Sequence, residues 1–328
     1  MRHRPDLFII GASKCGTTSV WKWLQGHPQV FMAPRKEPRF FAPDLMSGVA
    51  GKNLRYPEDM DRYLALFEGA RDEKRLGEGT PRYIYSREAP GLIHEFNPNA
   101  FIVAMLRNPI DMMHSLHAHR VAGGSEPITD FEQALAAEEA RRQGLGVRPE
   151  GNPLLTLYRD RARFGEQLPR WFDTFGPERV HVIVLEDMVR DPAATFRRLL
   201  EFLQIDPDYR PDTFTAYNPR HQPRSMLLRS VLTSRLPQLL MWRVLPGVLG
   251  ERRARGALKP LRRMNRTPAR RLPVDPELRL RLQREFSTDV AVLSRLLGRD
   301  MAGLWWTQRN EALDEERHKK AAGIGAPS

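Results

Sequence analysis

The sequence predicts an α/β fold, a single domain with a central parallel β-sheet flanked by helices and a basic helical insertion toward its C-terminal end. Three observations predict it. The apolar runs Leu7-Phe8-Ile9-Ile10, Ala100 to Leu106 and Val180 to Leu185 are too short for membrane spans and suit parallel strands covered on both faces. Segments whose apolar residues recur at helical spacing alternate with these runs. The first run passes through a glycine-bounded loop, Gly11 to Thr18, directly into a helical stretch, Ser19 to Leu24.

In chain order, His27 to Met32 reads as a turn and a short second strand, followed by a polar, proline-broken loop from Ala33 to Pro43. Asp59 to Phe67 has helical spacing, and Arg75 to Glu78 reads as a strand ending in the loop Gly79-Thr80-Pro81. Pro90 to Phe96 is predicted helical. The strand Ala100 to Leu106 stops at Arg107-Asn108-Pro109, where a helix begins with Pro109 in its first turn. Asp130 is expected to N-cap a charged surface helix reaching Arg142, before the glycine-rich loop Gly144 to Gly151. Tyr158 to Phe175 is predicted as one helix anchored by Tyr158, Leu168, Trp171, Phe172 and Phe175. The strand Val180 to Leu185 ends in Glu186-Asp187, and Asp191-Pro192 opens a helix through Phe202. Asp275-Pro276 starts a long helix with Leu278, Leu282, Phe286, Val290, Leu293 and Leu297 on one face and Gly298 as its stop. Ligands in open parallel sheets lie beyond the carboxyl ends of strands, so Gly11 to Thr18, Glu78 to Pro81 and Arg107 to Pro109 are expected to meet at one crevice.

A chain of 328 residues can bury a large core, and we expect one domain over 5–306 with a polar, frayed tail over 307–328. No stretch approaches the roughly 18 unbroken apolar residues of a membrane span. The first strand starts within the opening residues and leaves no room for a signal peptide, and a lone cysteine, Cys15, excludes an internal disulfide. A cytoplasmic location is the expectation. Cys15, near a helix N-terminus, reads either as a reactive thiol or as a small loop side chain, and no histidine close in sequence supports the first. The formal charge of +12 is local: Arg224 to Arg271 holds thirteen Lys or Arg against one acid, Glu251. Such a field favours anions. Within it, Arg224 to Arg263 interleaves apolar residues with arginines and is broken by Pro237, Pro246 and Pro260. It reads as short amphipathic helices that cap the core or touch an anionic surface.

Gly11 and Gly16 have the spacing of the nucleotide-triphosphate loop G-x-x-x-x-G-K-[ST], but Thr17 stands where that motif needs lysine, and the loop's lysine is Lys14. Backbone N–H groups at the helix start favour a phosphate or sulfate group, and the hydroxyls of Thr17 and Thr18 add donors. Strand, G-x-x-K-x-G-T-[ST], helix resembles the 5'-phosphosulfate loop of sulfotransferases that use 3'-phosphoadenosine 5'-phosphosulfate (PAPS). Arg107-Asn108-Pro109 followed by Ser115 resembles the 3'-phosphate-binding motif of the same family. Lys36-Glu37-Pro38-Arg39-Phe40-Phe41, the block from Trp171 to Asp191 and Leu297-Gly298-Arg299-Asp300 are similar too, so the resemblance runs from about Pro5 to Trp306. It is strongest toward the heparan-type carbohydrate sulfotransferases and their bacterial relatives, and it implies a P-loop-like domain.

The resemblance implies PAPS as co-substrate, giving adenosine 3',5'-bisphosphate, with no metal. The acceptor would be a hydroxyl or amine of a carbohydrate, lipid or small natural product, and no nucleic acid is expected as partner. Ser13, Lys14, Gly16, Thr17 and Thr18 are implied to hold the phosphosulfate, Arg107 and Ser115 the 3'-phosphate, and one or more of Arg266, Arg270 and Arg271 to close over it. Lys14 is expected to stabilise charge on the leaving oxygen, and Glu37 to act as general base. Glu78 is its competitor for that role. Gly79 stands where relatives carry a lysine, and Met112 where an arginine is often found. Arg39, at a position often histidine, is a substrate-binding candidate together with Glu78. His114, His117 and His119 with Asp111 suggest a metal cluster only weakly, because a helix turns His119 away from the other two. Two other classes compete: a small-molecule kinase with Asp187 as magnesium ligand, and a non-enzymatic binder of anionic surfaces or nucleic acid read from the basic segment. The regular aromatic interleaving of single-strand binders is missing from that segment.

Overall fold

The apolar runs pair as expected. In the computed structural model, which describes residues 4–46, 57, 59–146, 152–214, 221–223, 266–268 and 273–307, five strands form one parallel sheet. They are β1 (Leu7–Gly11), β2 (Val30–Met32), β3 (Arg75–Gly79), β4 (Phe101–Leu106) and β5 (Val180–Val184), in the order β2-β3-β1-β4-β5. Every residue of β1 and β4 is buried, which is why these two read as unbroken apolar runs rather than alternating ones. β1 lies between β3 and β4, with Leu7 opposite both Gly77 and Phe101. The chain leaves β1 for β2 beyond β3 and later returns across β1 to β4, so the strand order reverses at β1 and a crevice opens beyond its carboxyl end.

Ten helices accompany the sheet among the described residues: α1 (Thr17–Gln25), α2 (Met60–Leu64), α3 (Ala89–Phe96), α4 (Pro109–Ala122), α5 (Phe131–Ala136), α6 (Glu138–Arg142), α7 (Phe164–Phe175), α8 (Leu185–Arg190), α9 (Pro192–Phe202) and α10 (Pro276–Leu297). Their starts follow local chemistry. Asn108 accepts from the N–H groups of Ile110 and Asp111 to cap α4, Asp191 caps α9, Asp275 caps α10, and Gly298 ends α10 in the left-handed region. A two-stranded antiparallel pair, β6 (His221–Pro223) with β7 (Arg266–Pro268), stands apart from the main sheet.

Three elements differ from expectation. The helix predicted from Tyr158 begins only at Phe164, because the Asp289 carboxylate on α10 accepts from the N–H groups of Gly165 and Glu166 and so caps α7 there. Gly165 permits that contact, since a Cβ would collide with the Asp289 backbone. The helix predicted from Asp130 to Arg142 is split into α5 and α6, with Glu138 buried under Arg159. Glu186-Asp187 belongs to α8 rather than to a strand end. The expected basic segment 224–263, Arg270, Arg271, most of the loop 144–151 and the tail beyond Thr307 lie outside the described residues, as does the side chain of Arg266 on β7.

Candidate active site

The loop from β1 to α1 forms a cradle at the head of the sheet. Gly16, at φ 91°, caps α1 without any side-chain hydrogen bond, and no acidic residue sits in the first turn. The helix start is therefore left open to an anion. The left-handed turn at Gly16 favours glycine, and a Cβ there would also stand 2.7 Å from the mobile end of Met188 on α8. Lys14 is also left-handed, at φ 69°. Cys15 is fully buried, and burial pushes its thiol up to about 12, so it is a protonated packing group rather than a reactive thiolate.

The loop after β2 lies along the end of β3. Ala33 N donates to Gly77 O at 2.8 Å, Glu37 N to Gly79 O at 3.0 Å, and Arg39 N to Thr80 Oγ1 at 3.3 Å. Phe41 anchors this loop among Phe8, Tyr63, Tyr83 and Phe96. Glu37 and Arg39 take left-handed φ values of 62° and 61°. Arg39 grips Glu37 Oε2 through Nη2 at 2.7 Å and Nε at 3.3 Å. Burial alone would raise the Glu37 carboxyl, but Arg39, then Arg82 and Lys36, outweigh it and hold the carboxyl below its ordinary value. Glu37 is thus ionised at neutral pH and partly open, with 34% of its side chain exposed.

Glu78 occupies the opposite environment. It is fully buried, and its oxygens accept from Tyr83 Oη at 2.7 Å, Thr80 Oγ1 at 2.7 Å and Tyr63 Oη at 3.3 Å. Burial pushes it up to about 7. The geometry corrects the expectation that Glu78 touches substrate or rivals Glu37 as base, because its carboxyl faces three hydroxyls inside the core rather than the crevice.

At the end of β4, Arg107 is buried and stands 3.9 Å from Asp111 Oδ2, while Arg279 on α10 bonds Asp111 Oδ1 at 2.8 Å. Two guanidinium groups share that carboxylate, and Arg279 Nη1 is buried without a hydrogen-bond partner. The surplus positive charge fits a phosphate at this point. Ser115 is buried farther along α4. β1 pairs with β4, and Ala12 N in the cradle donates to Met105 O, which puts the end of β4 beside the cradle.

Sequence reasoning missed the roles of two residues here. Lys36 extends into the cradle and donates to Thr17 Oγ1 at 3.1 Å and Thr18 Oγ1 at 2.9 Å. Arg161, buried and with no ion pair among the described residues, donates to Ser13 Oγ at 3.1 Å. Burial, with Arg82 and Arg120 nearby, lowers its guanidinium to about 9. His119, exposed on α4, is held below its ordinary value by desolvation first and then by Lys14, with Glu37 pulling the other way. The other two histidines pack instead: His114 and His117 lie against Phe131, and His117 Nε2 is 2.9 Å from Ile128 O. Among the described residues no group of three or more His, Cys, Asp or Glu could hold a metal ion. Asp187 is clamped by both Nη atoms of Arg299, and Glu186 by Asn108 N and Trp305 Nε1.

A parallel α/β sheet with an open helix start at its topological switch, and a cationic cluster at the neighbouring strand end, has the geometry suited to phosphate- or sulfate-bearing ligands. The profile of the Sulfotransferase family matches residues 56–209, which include Arg107 and Ser115 but begin after the cradle. The structure is similar to that of a sulfotransferase from Alicyclobacillus acidocaldarius, with a TM-score of 0.68 and 30% identity, covering 92% of this chain and 99% of that one. The chain belongs to the sulfotransferase family. It is also 29% identical over 207 residues to human heparan sulfate glucosamine 3-O-sulfotransferase 6, covering 62% of this chain and 53% of the relative. Human carbohydrate sulfotransferase 15 is 25% identical over 254 residues, covering 63% and 45%. The chain thus spans about half the length of these curated relatives.

Proposed function

We propose that this chain transfers a sulfuryl group from PAPS to a hydroxyl or amine of a carbohydrate acceptor. One observation carries the reading: the open helix start at the end of β1 and the Arg107–Asp111–Arg279 cluster at the end of β4 lie on adjacent strands, an arrangement suited to a nucleotide with separate 5' and 3' anionic groups. Family membership supports the chemistry, and the names of the heparan sulfate and carbohydrate relatives support a saccharide over a lipid or small natural product. Thr17 in place of the lysine of a nucleotide-triphosphate loop, and Asp187 held by Arg299, count against a kinase.

Bound PAPS supplies a neutral SO3 unit on a phosphate leaving group. The sulfur–oxygen bond to phosphate breaks with its electron pair left on the phosphate oxygen, the acceptor atom bonds to sulfur, and the acceptor proton passes to Glu37. Lys14 supplies a fixed positive charge whose attraction for the leaving oxygen grows as that oxygen becomes negative. Glu37, ionised and partly exposed, accepts the proton once Arg39 yields part of its hold to the acceptor. Arg107 and Arg279 orient the nucleotide through the 3'-phosphate. Calorimetric titration tests the reading: adenosine 3',5'-bisphosphate should bind far more tightly than AMP or ATP, and equal affinities would overturn it.

A further inference from the structure

Lys36 is in an unusual position for a lysine of a surface loop. Its stem runs past the end of β3, where a Cβ on Gly79 would lie 3.5 Å from Lys36 Cε. Its ammonium bonds two hydroxyls, Thr17 Oγ1 and Thr18 Oγ1, and has no ion pair among the described residues, although Glu37 is its neighbour in sequence. Hydrogen-bond polarity then constrains the cluster. An ammonium only donates, so both hydroxyls are acceptors toward it and each keeps its own proton to give. Neither hydroxyl donates to another group among the described residues, and the ammonium has a third N–H to offer. Three donors, two hydroxyls from the first turn of α1 and one ammonium from the loop after β2, therefore converge with no acceptor of their own among the described residues. Thr17 also occupies the position of the catalytic lysine in a nucleotide-triphosphate loop, so Lys36 delivers from the neighbouring loop a cation that the cradle's own sequence lacks.

We propose that Lys36 is a second catalytic cation, forming with the hydroxyls of Thr17 and Thr18 a three-donor site for the 5' anionic group of the co-substrate. The inference rests on the sulfotransferase reading and assigns Lys36 to the 5' side of the nucleotide. Burial first, and then Lys14, lower the Lys36 ammonium to about 8, with Glu37 opposing. An anion bound against it restores the proton, so ligand binding and proton uptake are coupled at mildly alkaline pH.

The test is calorimetric titration of the full chain with adenosine 3',5'-bisphosphate and with adenosine 3'-monophosphate, which lacks the 5' group. Lys36→Met should weaken the bisphosphate roughly 10- to 100-fold, the loss of one charge-assisted contact. It should leave the 3'-monophosphate unchanged, and Lys74→Met, at an exposed lysine, should change neither. At pH 8, titration in buffers of different ionisation enthalpy should show about half a proton taken up per bisphosphate bound to the native protein and none with Lys36→Met. Lys36→Arg, which keeps the charge at that pH, should retain most of the affinity without the proton uptake, and it preserves the test if Lys36→Met does not fold. Native affinity in Lys36→Met, an equal loss for both nucleotides, or undiminished proton uptake in Lys36→Arg would overturn the role of Lys36. Native protein that ignores the bisphosphate would overturn the sulfotransferase reading itself.

Discussion

Replacing Glu78 with glutamine separates a core carboxyl from a catalytic one. Glu78 is fully buried, and burial pushes it from 4.5 up to about 7, with Thr80, Tyr83 and Tyr63 opposing through their hydroxyls. Below pH 4.5 the carboxyl is protonated whether the chain is folded or not, and it adds no pH-dependent difference. As pH rises the unfolded chain ionises first, so native stability falls, and the loss is complete once pH passes about 7. At about 1.4 kcal/mol for each unit of displaced pKa, the loss reaches about 3 kcal/mol.

Glutamine fits the same hydrogen bonds. Its oxygen can accept from Tyr63 and Tyr83, as Glu78 Oε1 does, and its amide can donate to Thr80 Oγ1 in place of the bond that hydroxyl now gives. Urea unfolding of both proteins between pH 4 and pH 8.5 measures the difference directly. The stability of Glu78→Gln relative to native protein should climb by about 3 kcal/mol across that range, and turnover should persist. A difference that stays flat with pH, or a variant with native stability and no turnover, would refute the assignment of Glu78 to the core.

Glu37→Gln keeps the shape of the proposed base but cannot take a proton; turnover should drop by about 10²- to 10⁴-fold while bisphosphate affinity, measured by calorimetry, stays native. Because Arg39 holds Glu37 below its ordinary value, the acid limb of the native rate profile should lie at the low end of the carboxylate range, and Arg39→Ala should move it to higher pH. Lys14→Ala should lower turnover on the order of 10²- to 10³-fold, as loss of one donor at a developing charge does, measured at saturating acceptor. Arg107→Ala should remove about 1.5 to 3 kcal/mol of bisphosphate affinity and leave AMP affinity nearly unchanged.

The strands and the crevice were legible because their signals are local. Continuous apolar runs with abrupt polar ends mark β1, β4 and β5, and the glycine spacing of 11 and 16 marks the cradle. Glu78 misled for a related reason. A carboxylate at a strand end next to a Thr-Pro loop looks like a site residue, and nothing local says that Tyr63, fifteen residues earlier, closes over it. Arg161 and Asp289 were illegible in the same way, since their partners Ser13 and Gly165 are 148 and 124 residues away. Lys36 stood in the sequence only as the first residue of the stretch that carries Glu37, with no role of its own. A left-handed residue at 37 sends the two side chains to different partners, and no spacing rule reveals that.

Those left-handed residues connect the core to the chemistry. Among the described residues four non-glycines have positive φ, and three of them, Lys14, Glu37 and Arg39, are proposed to act at the site. Each such conformation costs about 1 to 3 kcal/mol and persists only where the surroundings over-determine it. For Glu37 and Arg39 the restraint is visible: Glu37 N is tied to Gly79 O, and Arg39 N to Thr80 Oγ1. Thr80 Oγ1 accepts from Arg39 N while giving its own proton to Glu78 Oε2. The buried carboxyl thereby fixes the direction of a hydroxyl, the hydroxyl holds the backbone of Arg39, and Arg39 holds the carboxylate of Glu37. Glutamine at 78 still holds Thr80 Oγ1 through its amide, and that oxygen keeps a lone pair for Arg39 N, so the contacts from the core to the proposed base survive Glu78→Gln.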